Sequence, residues 1–414
     1  MDVVVKKFGG TSVGDFDRIK NVAKIVSEFK KNNPRTGVIV VVSAMAGETN
    51  KLIKMAKDIG NSSVPRELDV LLATGEQVSI ALLAIALIDN GIPAQSLTAQ
   101  QIKIKTDEHH TNATIQAIDA KRIKALLAQG IVPVVAGFQG VTDDGNITTL
   151  GRGGSDITAV AVAATVKAKA CYIYTDVEGV YSADPRICAH AKRLNQISHE
   201  EMLELASLGA KVIHHRAVFF AMCYKVPLVV LSTFNPIVGT WIVKEEELME
   251  KPVVAGITYR TDETKITVNG LGNGIESLNQ IFKKLADEGI FIDMITQAGG
   301  QEGKVDLSFT VTDEYGTKAT EIVQYCVDEL CADDVRVEPD IAKISVVGIG
   351  MRYHAGIASR MFKILAQEEI NIHMISTSEI KISVVIPRKY CEVAVRALHD
   401  EFIDEKPEIS EDIS

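Results

Sequence analysis

The first fourteen residues of the chain predict a β-strand, a tight glycine turn and a helix start. A β-branched run at residues 3–5 leads into Lys7, Phe8, Gly9 and Gly10, and an amphipathic pattern runs from Asp15 to about residue 31. Glycines let backbone N–H groups approach a ligand, and a helix N-terminus adds partial positive charge. The turn favours an anion site beside Lys7, although an ordinary βα turn with a surface lysine explains the same spacing.

The glycine spacing at this turn excludes two common nucleotide-binding motifs. Neither the Walker pattern G-x-x-x-x-G-K-[ST] nor the dinucleotide pattern G-x-G-x-x-G is present there. Any phosphate site at this turn is therefore of another kind.

Strands and helices alternate over about the first 240 residues. Apolar runs at 38–42 and 131–135 lack a two-residue period, which is typical of strands covered on both faces of a parallel sheet. Helices are predicted at 50–58 and 65–90, a hairpin at 141–150, and a second glycine turn at 151–154 that leads into an apolar helix. We expect an α/β domain with a mostly parallel sheet sandwiched by helices.

The second part of the chain contains an internal repeat. A charge run at 245–251, followed by Pro252, indicates a domain boundary. Residues 266–272 match 344–350 at an offset of 78, and residues 282–295 match 362–375 at an offset of 80. Each copy predicts a β-α-β-β-α unit. We expect a first domain at residues 1–248 and two α+β modules at 264–338 and 339–414.

Composition excludes several classes of function. The net charge of −10 disfavours nucleic acid and anionic membranes as partners, and the longest run of almost entirely apolar residues, at 78–88, is shorter than the ~20 residues of a membrane span. The six cysteines form no C-x-x-C pair, so we expect free thiols, a cytoplasmic location and no disulfide framework. Adjacent histidines diverge on a helix or strand, so we also expect no resident metal site.

The residues alone support two interpretations of the first domain. Phosphoryl transfer needs positioning and positive charge more than a protein nucleophile. Lys7 with the amides of Gly9 and Gly10 could hold the transferring group, and Arg152 could clamp a carboxylate in a bidentate pair. A non-catalytic α/β binding domain with well-formed turns explains the same residues. Hydrolysis has little support, because no Ser-His-Asp or H-E-x-x-H pattern stands out.

A series of short strings resembles the aspartate kinases of the amino acid kinase family, in the family's order. The first is Lys-Phe-Gly-Gly-Thr-Ser-Val at 7–13, and the fullest is Thr-Leu-Gly-Arg-Gly-Gly-Ser-Asp at 149–156. The others lie at 43–45, 74–76, 136–140, 175–181, 183–186 and 209–211, and the carboxyl half adds 375–383. Any one string is weak, whereas their conjunction is specific and spans nearly the whole chain.

This resemblance implies an enzyme that transfers the γ-phosphoryl group of ATP to the β-carboxylate of L-aspartate. The product is 4-phospho-L-aspartate, at the first step towards lysine, threonine, methionine and isoleucine, with ATP and Mg²⁺ as cofactors. A monofunctional member is implied, since the sequence ends soon after the repeats.

The resemblance also assigns roles to individual residues. Lys7 would stabilise charge on the transferring phosphoryl group, and Asp156 would orient Lys7. Arg152 would bind the α-carboxylate of aspartate and Glu76 its ammonium, with further substrate contacts from Thr49, Phe138, Gly153, Gly154 and Ser155. The phosphate end of ATP would be lined by Lys7, Phe8, Gly9, Gly10, Thr11 and Ser12, and the rest of ATP would be bound by Thr175, Asp176, Tyr181, Asp184, Arg186 and Lys211.

Simpler explanations remain open for several of these residues. Glu76 could lie on a solvated helix face, and Phe138 could belong to the core. Tyr181 and Arg186 could serve local loop packing, Lys211 could be a surface lysine, and Asp156 could only complement a helix N-terminus.

The repeated modules resemble paired ACT domains, which bind amino acids and associate with one another. The resemblance implies feedback regulation by lysine, threonine or both, and a homodimer or higher oligomer formed through these modules. By fold analogy, the strand at 253–258 pairs with the second module, which makes the modules discontinuous. The first copy reads Asn273-Gly274 and lacks the family's Pro-Gly pair, and the second reads Ala355-Gly356 and keeps only the glycine. The residues of the second copy that resemble the family's effector site are Asn371, Ile372, Ser376, Thr377 and Glu379.

Three alternatives remain beside the aspartate kinase interpretation. Another amino acid kinase, acting on glutamate or acetylglutamate, is disfavoured by the ACT-like tail and the full 151–156 string. A non-catalytic amino-acid sensor is disfavoured by intact Lys7 and Asp156. A nicotinamide dehydrogenase with an ACT tail lacks the glycine pattern of its cofactor turn.

Overall fold

The structure is a computed structural model that describes residues 1–60, 64–209, 212–235, 237–248, 252–272, 274–299, 304–330 and 332–404. The chain forms two compact units. The first contains Met1–Val180, Arg193–Ser207 and Lys211–Glu250, and the second contains Tyr181–Lys192, Leu208–Ala210 and Lys251–Ser414.

The first unit is built on an eight-stranded sheet. Its strands, in spatial order, are β10 (Gln196–Ser198), β12 (Thr240–Val243), β11 (Leu228–Ser232), β9 (Ala170–Thr175), β1 (Val3–Phe8), β2 (Gly37–Val42), β6 (Val132–Ala136) and β3 (Ala94–Leu97). The run from β11 to β3 is parallel, and only β12 pairs with β11 in the antiparallel sense. The predicted mostly parallel α/β fold is confirmed.

The helices of this unit are α1 (Phe16–Asn32), α2 (Glu48–Ile59), α3 (Pro65–Leu72), α4 (Thr74–Asp89), α5 (Lys121–Ala128), α6 (Gly154–Val166), α7 (His199–Ser207) and α8 (His215–Tyr224). Helices α1 and α4 share one hydrophobic core with alternate residues of β1, β2 and β6. Helix α6 packs against β1, β9 and α8. All six residues of β2 are buried, as the apolar run at 38–42 predicts for a strand covered on both faces.

A second, four-stranded sheet lies beside the main sheet in this unit. Its order is β5 (Ile115–Ile118), β4 (Ile104–Thr106), β7 (Gln139–Val141) and β8 (Ile147–Thr149). Strands β7 and β8 form the predicted hairpin, with Gln139 opposite Thr149. The hairpin leads directly into the glycine turn before α6.

The helix predicted at 65–90 is divided into α3 and α4, which meet at Ala73. Among the described residues, the stretch Pro65–Asp89 is long and apolar enough to cross a membrane, by length and composition only, and half of its most apolar window is buried. The length of the apolar run in the sequence underestimates the length of the apolar helix, because the helix also includes isolated polar residues. Ile80, Leu83 and Leu87 of α4 lie in the core of the unit.

The second unit contains two similar modules on one six-stranded sheet. The sheet order is β14 (Ile292–Gly299), β15 (Val305–Thr312), β13 (Gly256–Leu271), β16 (Asp334–Val347), β18 (Lys381–Pro387) and β17 (Met374–Thr377). The first module adds α9 (Gly274–Asp287) and α10 (Asp313–Leu330), and the second adds α11 (Ile357–Gln367) and α12 (Cys391–His399). Each module has its own hydrophobic core.

Strands β13 and β16 are long enough to serve both modules. Ile266, Thr267 and Val268 of β13 pair with both β15 and the first residues of β16, whereas Ile257 and Thr258 pair with Val346 and Ser345. The amino-terminal part of β13 therefore lies in the sheet beside the second repeat.

The segment Tyr181–Lys192 also belongs to the second unit. Ala183 and Cys188 are buried in the core that includes Ile257 and Ile344, and Ser182 O accepts a hydrogen bond from Ile257 N at 2.7 Å. The compact units therefore differ from a simple division at residue 248, because these apolar side chains lie in the core of the second module.

Candidate active site

Four neighbouring strands of the main sheet end in loops that carry part of the predicted site. In spatial order β9, β1, β2 and β6 are adjacent and parallel, so their carboxyl ends lie at one edge. The loops that follow them carry Asp176, Gly9, Ala44 and Phe138 respectively. Ligands of open α/β sheets bind at such an edge.

Lys7 and Asp156 form an ion pair at this edge. The distance from Lys7 Nζ to Asp156 Oδ1 is 2.6 Å, and about a tenth of each side chain is exposed. Because side chains alternate along a strand, Lys7 faces α6 while Lys6 faces α1. A mostly buried ammonium, held by one carboxylate and still open to solvent, is suited to bind an anionic substrate.

The glycine turn after β1 brings backbone close to this ammonium. A Cβ on Gly9 would lie 3.4 Å from Lys7 Nζ, and one on Gly10 would lie 3.0 Å from Ala44 O. The Gly9 N–H donates to Tyr174 O at 3.3 Å, and residues Gly10–Val13 form a short 3-10 helix before α1 begins at Phe16. Gly10, Thr11 and Ser12 thus lie in the 3-10 turn, and the Ser12 hydroxyl is 2.6 Å from the Thr233 hydroxyl.

Glu76 is buried at the start of α4, with only 3% of its surface exposed. Its Oε1 accepts a hydrogen bond from Ala44 N at 3.0 Å, and its Oε2 has no hydrogen-bond partner among the described residues. Burial raises the pKa of Glu76 to about 7, although hydrogen bonds from Ala44 N–H and the Gln139 amide oppose the shift. Glu76 therefore does not lie on a solvated helix face, and its second oxygen could accept a ligand ammonium.

The second glycine turn presents Arg152 at the surface. Gly151 and Gly153 both have φ of +73°, a conformation that glycine adopts readily. Arg152 is exposed and forms no ion pair within the described parts of the chain. Gly153, Gly154 and Ser155 follow it into the first turn of α6.

Phe138 is half-buried and contacts this turn. It has φ of +68°, its N–H donates to Thr158 Oγ1 at 3.1 Å, and a Cβ on Gly154 would lie 2.7 Å from its ring. Gly137 makes similar room for Ser155, since a Cβ there would lie 2.6 Å from Ser155 Oγ. Strained backbone at a non-glycine residue is typical of functional sites.

Thr49, Thr175 and Asp176 lie at the same edge of the sheet. Thr49 is half-buried in the first turn of α2, directly after the loop that follows β2. Thr175 ends β9, and its hydroxyl donates to Asp176 Oδ1 at 3.0 Å.

Of the other residues predicted to bind ATP, three are assigned to the second compact unit and one lies outside the described residues. Tyr181, Asp184 and Arg186 belong to the second compact unit. Arg186 Nη2 is 2.7 Å from Asp184 Oδ2, and this pairing holds the pKa of Asp184 below its usual range. Tyr259 also donates to Asp184. Lys211 lies outside the described residues, and so does Asn273 of the first module.

The predicted effector residues surround the edge strand β17 of the second module. Asn371 and Ile372 precede this strand, Ser376 and Thr377 end it, and Glu379 lies in the turn to β18. Glu379 Oε2 is 3.2 Å from Arg352 Nε, on the loop that follows β16.

Sequence reasoning did not identify His214, which lies beside the Arg152 turn. A Cβ on Gly153 would lie 2.3 Å from the Cβ and Cγ atoms of His214. Burial lowers the pKa of His214 to about 4, and the nearby charge of His215 contributes. The close approach to Gly153 has no signal in the sequence, because the two residues are distant along the chain.

The metal-ligating side chains and the cysteines can also be compared with the expectations from the sequence. No cluster of three or more His, Cys, Asp or Glu side chains suited to a metal occurs in the described parts of the chain. Five cysteines in those parts are free thiols, and only Cys223 among them is exposed.

Two protein-family profiles match the chain. The amino acid kinase family matches residues 2–232, and the ACT domain matches residues 344–402. The aspartate kinase of Stutzerimonas stutzeri (strain A1501) is 53% identical over 403 residues, which cover 97% of this chain and 97% of that relative. Aspartokinase 2 of Bacillus subtilis (strain 168) is 45% identical over 403 residues, covering 97% and 98%.

Solved structures of Escherichia coli aspartokinase III are similar along the whole chain. The complex with aspartate and ADP, described as the R-state, has a TM-score of 0.81 at 26% identity and covers 98% of this chain and 100% of that one. The complex with lysine and aspartate, described as the T-state, has a TM-score of 0.77 at 27% identity, covering 97% and 100%. The chain therefore belongs to the amino acid kinase family and, within that family, to the aspartate kinases.

Proposed function

We propose that this chain transfers the γ-phosphoryl group of ATP to the β-carboxylate of L-aspartate, giving 4-phospho-L-aspartate and ADP. The observation that carries the proposal is the Lys7–Asp156 ion pair at the sheet edge, where Nζ and Oδ1 are 2.6 Å apart. Neither residue is a nucleophile in this reaction. The attacking group is the substrate's own carboxylate oxygen, which forms a bond to phosphorus as the bond to the β,γ-bridging oxygen of ATP breaks.

Lys7 supports this chemistry through its charge and position. An attacking carboxylate and a triphosphate bring several negative charges together, and a preorganised ammonium stabilises the charge that develops during transfer. Asp156 holds Lys7 in place through the ion pair. Gly9 and Gly10 let the phosphate end approach the backbone, and at Gly10 a Cβ would lie only 3.0 Å from Ala44 O.

Aspartate is held by two groups of opposite charge. Arg152 pairs with the α-carboxylate, and the free oxygen of Glu76 accepts the substrate ammonium. Binding of the ammonium favours the ionised form of Glu76, which burial otherwise disfavours. Thr49, Phe138 and Ser155 complete the substrate contacts.

Mg²⁺ enters with the nucleotide, as MgATP. Mg²⁺ is commonly bound by one or two carboxylates together with substrate phosphates. Thr175, Asp176, Tyr181, Asp184, Arg186 and Lys211 are the residues that we assign to ATP.

The second ACT-like module is proposed as the effector site, acting in a homodimer formed through these modules. We propose lysine, threonine or both as inhibitor, and one solved relative that is in complex with lysine supports lysine. Ser376→Ala is expected to weaken the inhibition. The matched variant in the first copy, Thr296→Ala, is expected to leave it unchanged. Activity that is insensitive to millimolar lysine and threonine, alone and together, would contradict the regulatory proposal.

Free thiols are typical of a reducing compartment, and we propose a cytoplasmic location on that ground.

The activity is tested by a coupled ADP-release assay with MgATP. We expect turnover with L-aspartate and at least about tenfold lower kcat/KM with L-glutamate, since one extra methylene displaces the reacting carboxylate. A folded protein that binds ATP without turnover would instead support a sensor. Preference for glutamate or acetylglutamate would support another amino acid kinase.

A further inference from the structure

Asp69 is a fully buried carboxylate on α3 that no role in the reaction accounts for. Its Oδ1 accepts a hydrogen bond from Thr149 Oγ1 at 2.5 Å, and its Oδ2 lies 2.7 Å from His110 Nδ1. The Thr111 N–H donates to both oxygens at 3.1 Å. One carboxylate thus connects α3, the loop at 109–112 and the end of β8, and charged acceptors of this kind form strong hydrogen bonds.

The groups bound by Asp69 hold the turn that carries Arg152. Thr149 is the last residue of β8 before this turn, and its carbonyl accepts Ala113 N at 2.9 Å. Gly151 lies against the same loop, since a Cβ there would be 2.8 Å from Asn112 Oδ1. Arg216 adds a second clamp, because its guanidinium donates to Leu150 O at 2.6 Å and to Asn112 Oδ1 at 2.8 Å.

Asp69 is also tied to the helix that carries Glu76. Its carbonyl accepts Ala73 N at 3.0 Å at the junction of α3 and α4, and Glu76 lies in the first turn of α4. The Ala73 carbonyl accepts Gln139 Nε2 at 2.7 Å, and Gln139 is opposite Thr149 in the hairpin. The helix junction and the Arg152 turn are therefore fixed to one another through Asp69 and Gln139.

We propose that Asp69 is a positioning residue for aspartate, which sets the spacing between Arg152 and Glu76 through its bonds to Thr149, Thr111 and His110. This inference rests on the proposed function, in which Arg152 and Glu76 hold the two ends of the amino acid. The spacing between them decides how well both can bind one substrate. In this proposal the spacing between Arg152 and Glu76 does not affect the binding of MgATP.

The test compares KM for L-aspartate with KM for MgATP in full-length variants. Thr149→Val removes the hydroxyl that donates to Asp69, and Asp69→Asn removes its charge. Each is expected to raise KM for aspartate about tenfold while kcat and KM for MgATP stay within about twofold. The double variant should raise KM for aspartate by less than the product of the single effects, because both break one contact.

Thr148→Val is the matched control. Thr148 is buried on the same strand, and its hydroxyl lies 2.6 Å from the Thr106 hydroxyl, outside the Asp69 contacts. This variant loses a comparable hydrogen bond and should keep the wild-type KM for aspartate. His110→Ala should raise that KM, whereas His110→Asn, which retains a donor near the position of Nδ1, should restore most of it.

Equal aspartate KM values in Thr149→Val and Thr148→Val would overturn the inference, as would a parallel rise in both KM values of a folded variant. If Asp69→Asn does not fold, the comparison of Thr149→Val with Thr148→Val still tests the role of Asp69. A wild-type enzyme that turns over aspartate, with Thr149→Val unchanged, removes only the role of Asp69. A wild-type protein without turnover on aspartate overturns the proposed function and this inference together.

Discussion

The buried carboxylate of Glu76 predicts a variant that is more stable and less active at the same time. Glu76→Gln removes a charge from a site where burial raises the carboxyl pKa from an ordinary 4.5 to about 7. Between these two values the folded state binds more protons than the unfolded state. Wild-type stability contributed by this group therefore falls as pH rises from 4.5 to 7, and it is constant above 7.

The magnitude follows from the same two values. A tenfold change in proton affinity corresponds to about 1.4 kcal/mol, so ionising Glu76 in the empty protein costs about 3 kcal/mol at pH 8. At pH 5 the group is mostly protonated in the folded state, and the cost is below about 1 kcal/mol. The glutamine amide itself costs about 1–2 kcal/mol at every pH, because it places a donor where Oε2 has no partner.

The quantity to measure is therefore the difference in unfolding free energy between variant and wild type at pH 5 and at pH 8. We expect this difference to increase by about 2–3 kcal/mol in favour of Glu76→Gln, independently of the amide cost. Denaturant titration followed by circular dichroism, without substrate, gives the values. In thermal melts, each kcal/mol corresponds to about 2–4 °C for a unit of this size.

Glu67→Gln on the neighbouring helix is the control, since 61% of the Glu67 side chain is exposed and its only ion pair in the described part of the chain, with Arg66, lies at the surface. That variant should show no such dependence on pH. Glu76→Gln should also raise KM for aspartate more than tenfold at pH 8, because the substrate ammonium loses its charged partner. Identical pH profiles for wild type and Glu76→Gln would refute the reasoning.

Further outcomes follow from the geometry of the site. Lys7→Ala is expected to lower kcat by ~10²-fold or more without unfolding the protein, and near-normal turnover of the folded variant would remove Lys7 from the transition state. Gly151→Ala should raise KM for aspartate and lower the melting temperature, because φ is +73° and the new Cβ would lie 2.8 Å from Asn112 Oδ1; an unchanged KM would contradict this. Lys6→Met should stabilise the protein by about 1–3 kcal/mol at pH 6 and hardly at all at pH 10, since burial lowers the pKa of Lys6 from 10.5 to about 7, while aromatic contacts offset part of the cost. Denaturant titrations at both pH values would show a constant difference if this is wrong.

Much of the fold follows from patterns that the sequence displays directly. The uninterrupted apolar run at 38–42 predicted a strand covered on both faces, and β2 is buried at every position. The repeat after residue 252 predicted two similar modules, which the structure contains. The helical stretch predicted at 65–90 is present as α3 and α4, which meet at Ala73, where the backbone keeps helical dihedral angles.

The site was less accessible to such reasoning, because its members meet only in three dimensions. The resemblance brought Lys7 and Asp156 together, and the structure places them 2.6 Å apart, whereas their catalytic roles stay a prediction. Asp69 and His214 carried no signal, since one is an acid in an amphipathic helix and the other one of two adjacent histidines. The segment Tyr181–Lys192 reads as a loop of the first domain, yet its apolar residues pack in the core of the second module.

The long strands β13 and β16 decide how the two modules can be separated. A fragment that began at residue 339 would lack Ile257 and Thr258, which pair with Val346 and Ser345, and one side of β16 would be an open edge. During synthesis the amino-terminal part of β13 is made first, and its partner residues at the end of β16 follow only after nearly the whole first module has been made. Unfolding of either module would disrupt β13 and β16, which both modules share. We therefore expect the two modules to unfold in one cooperative transition.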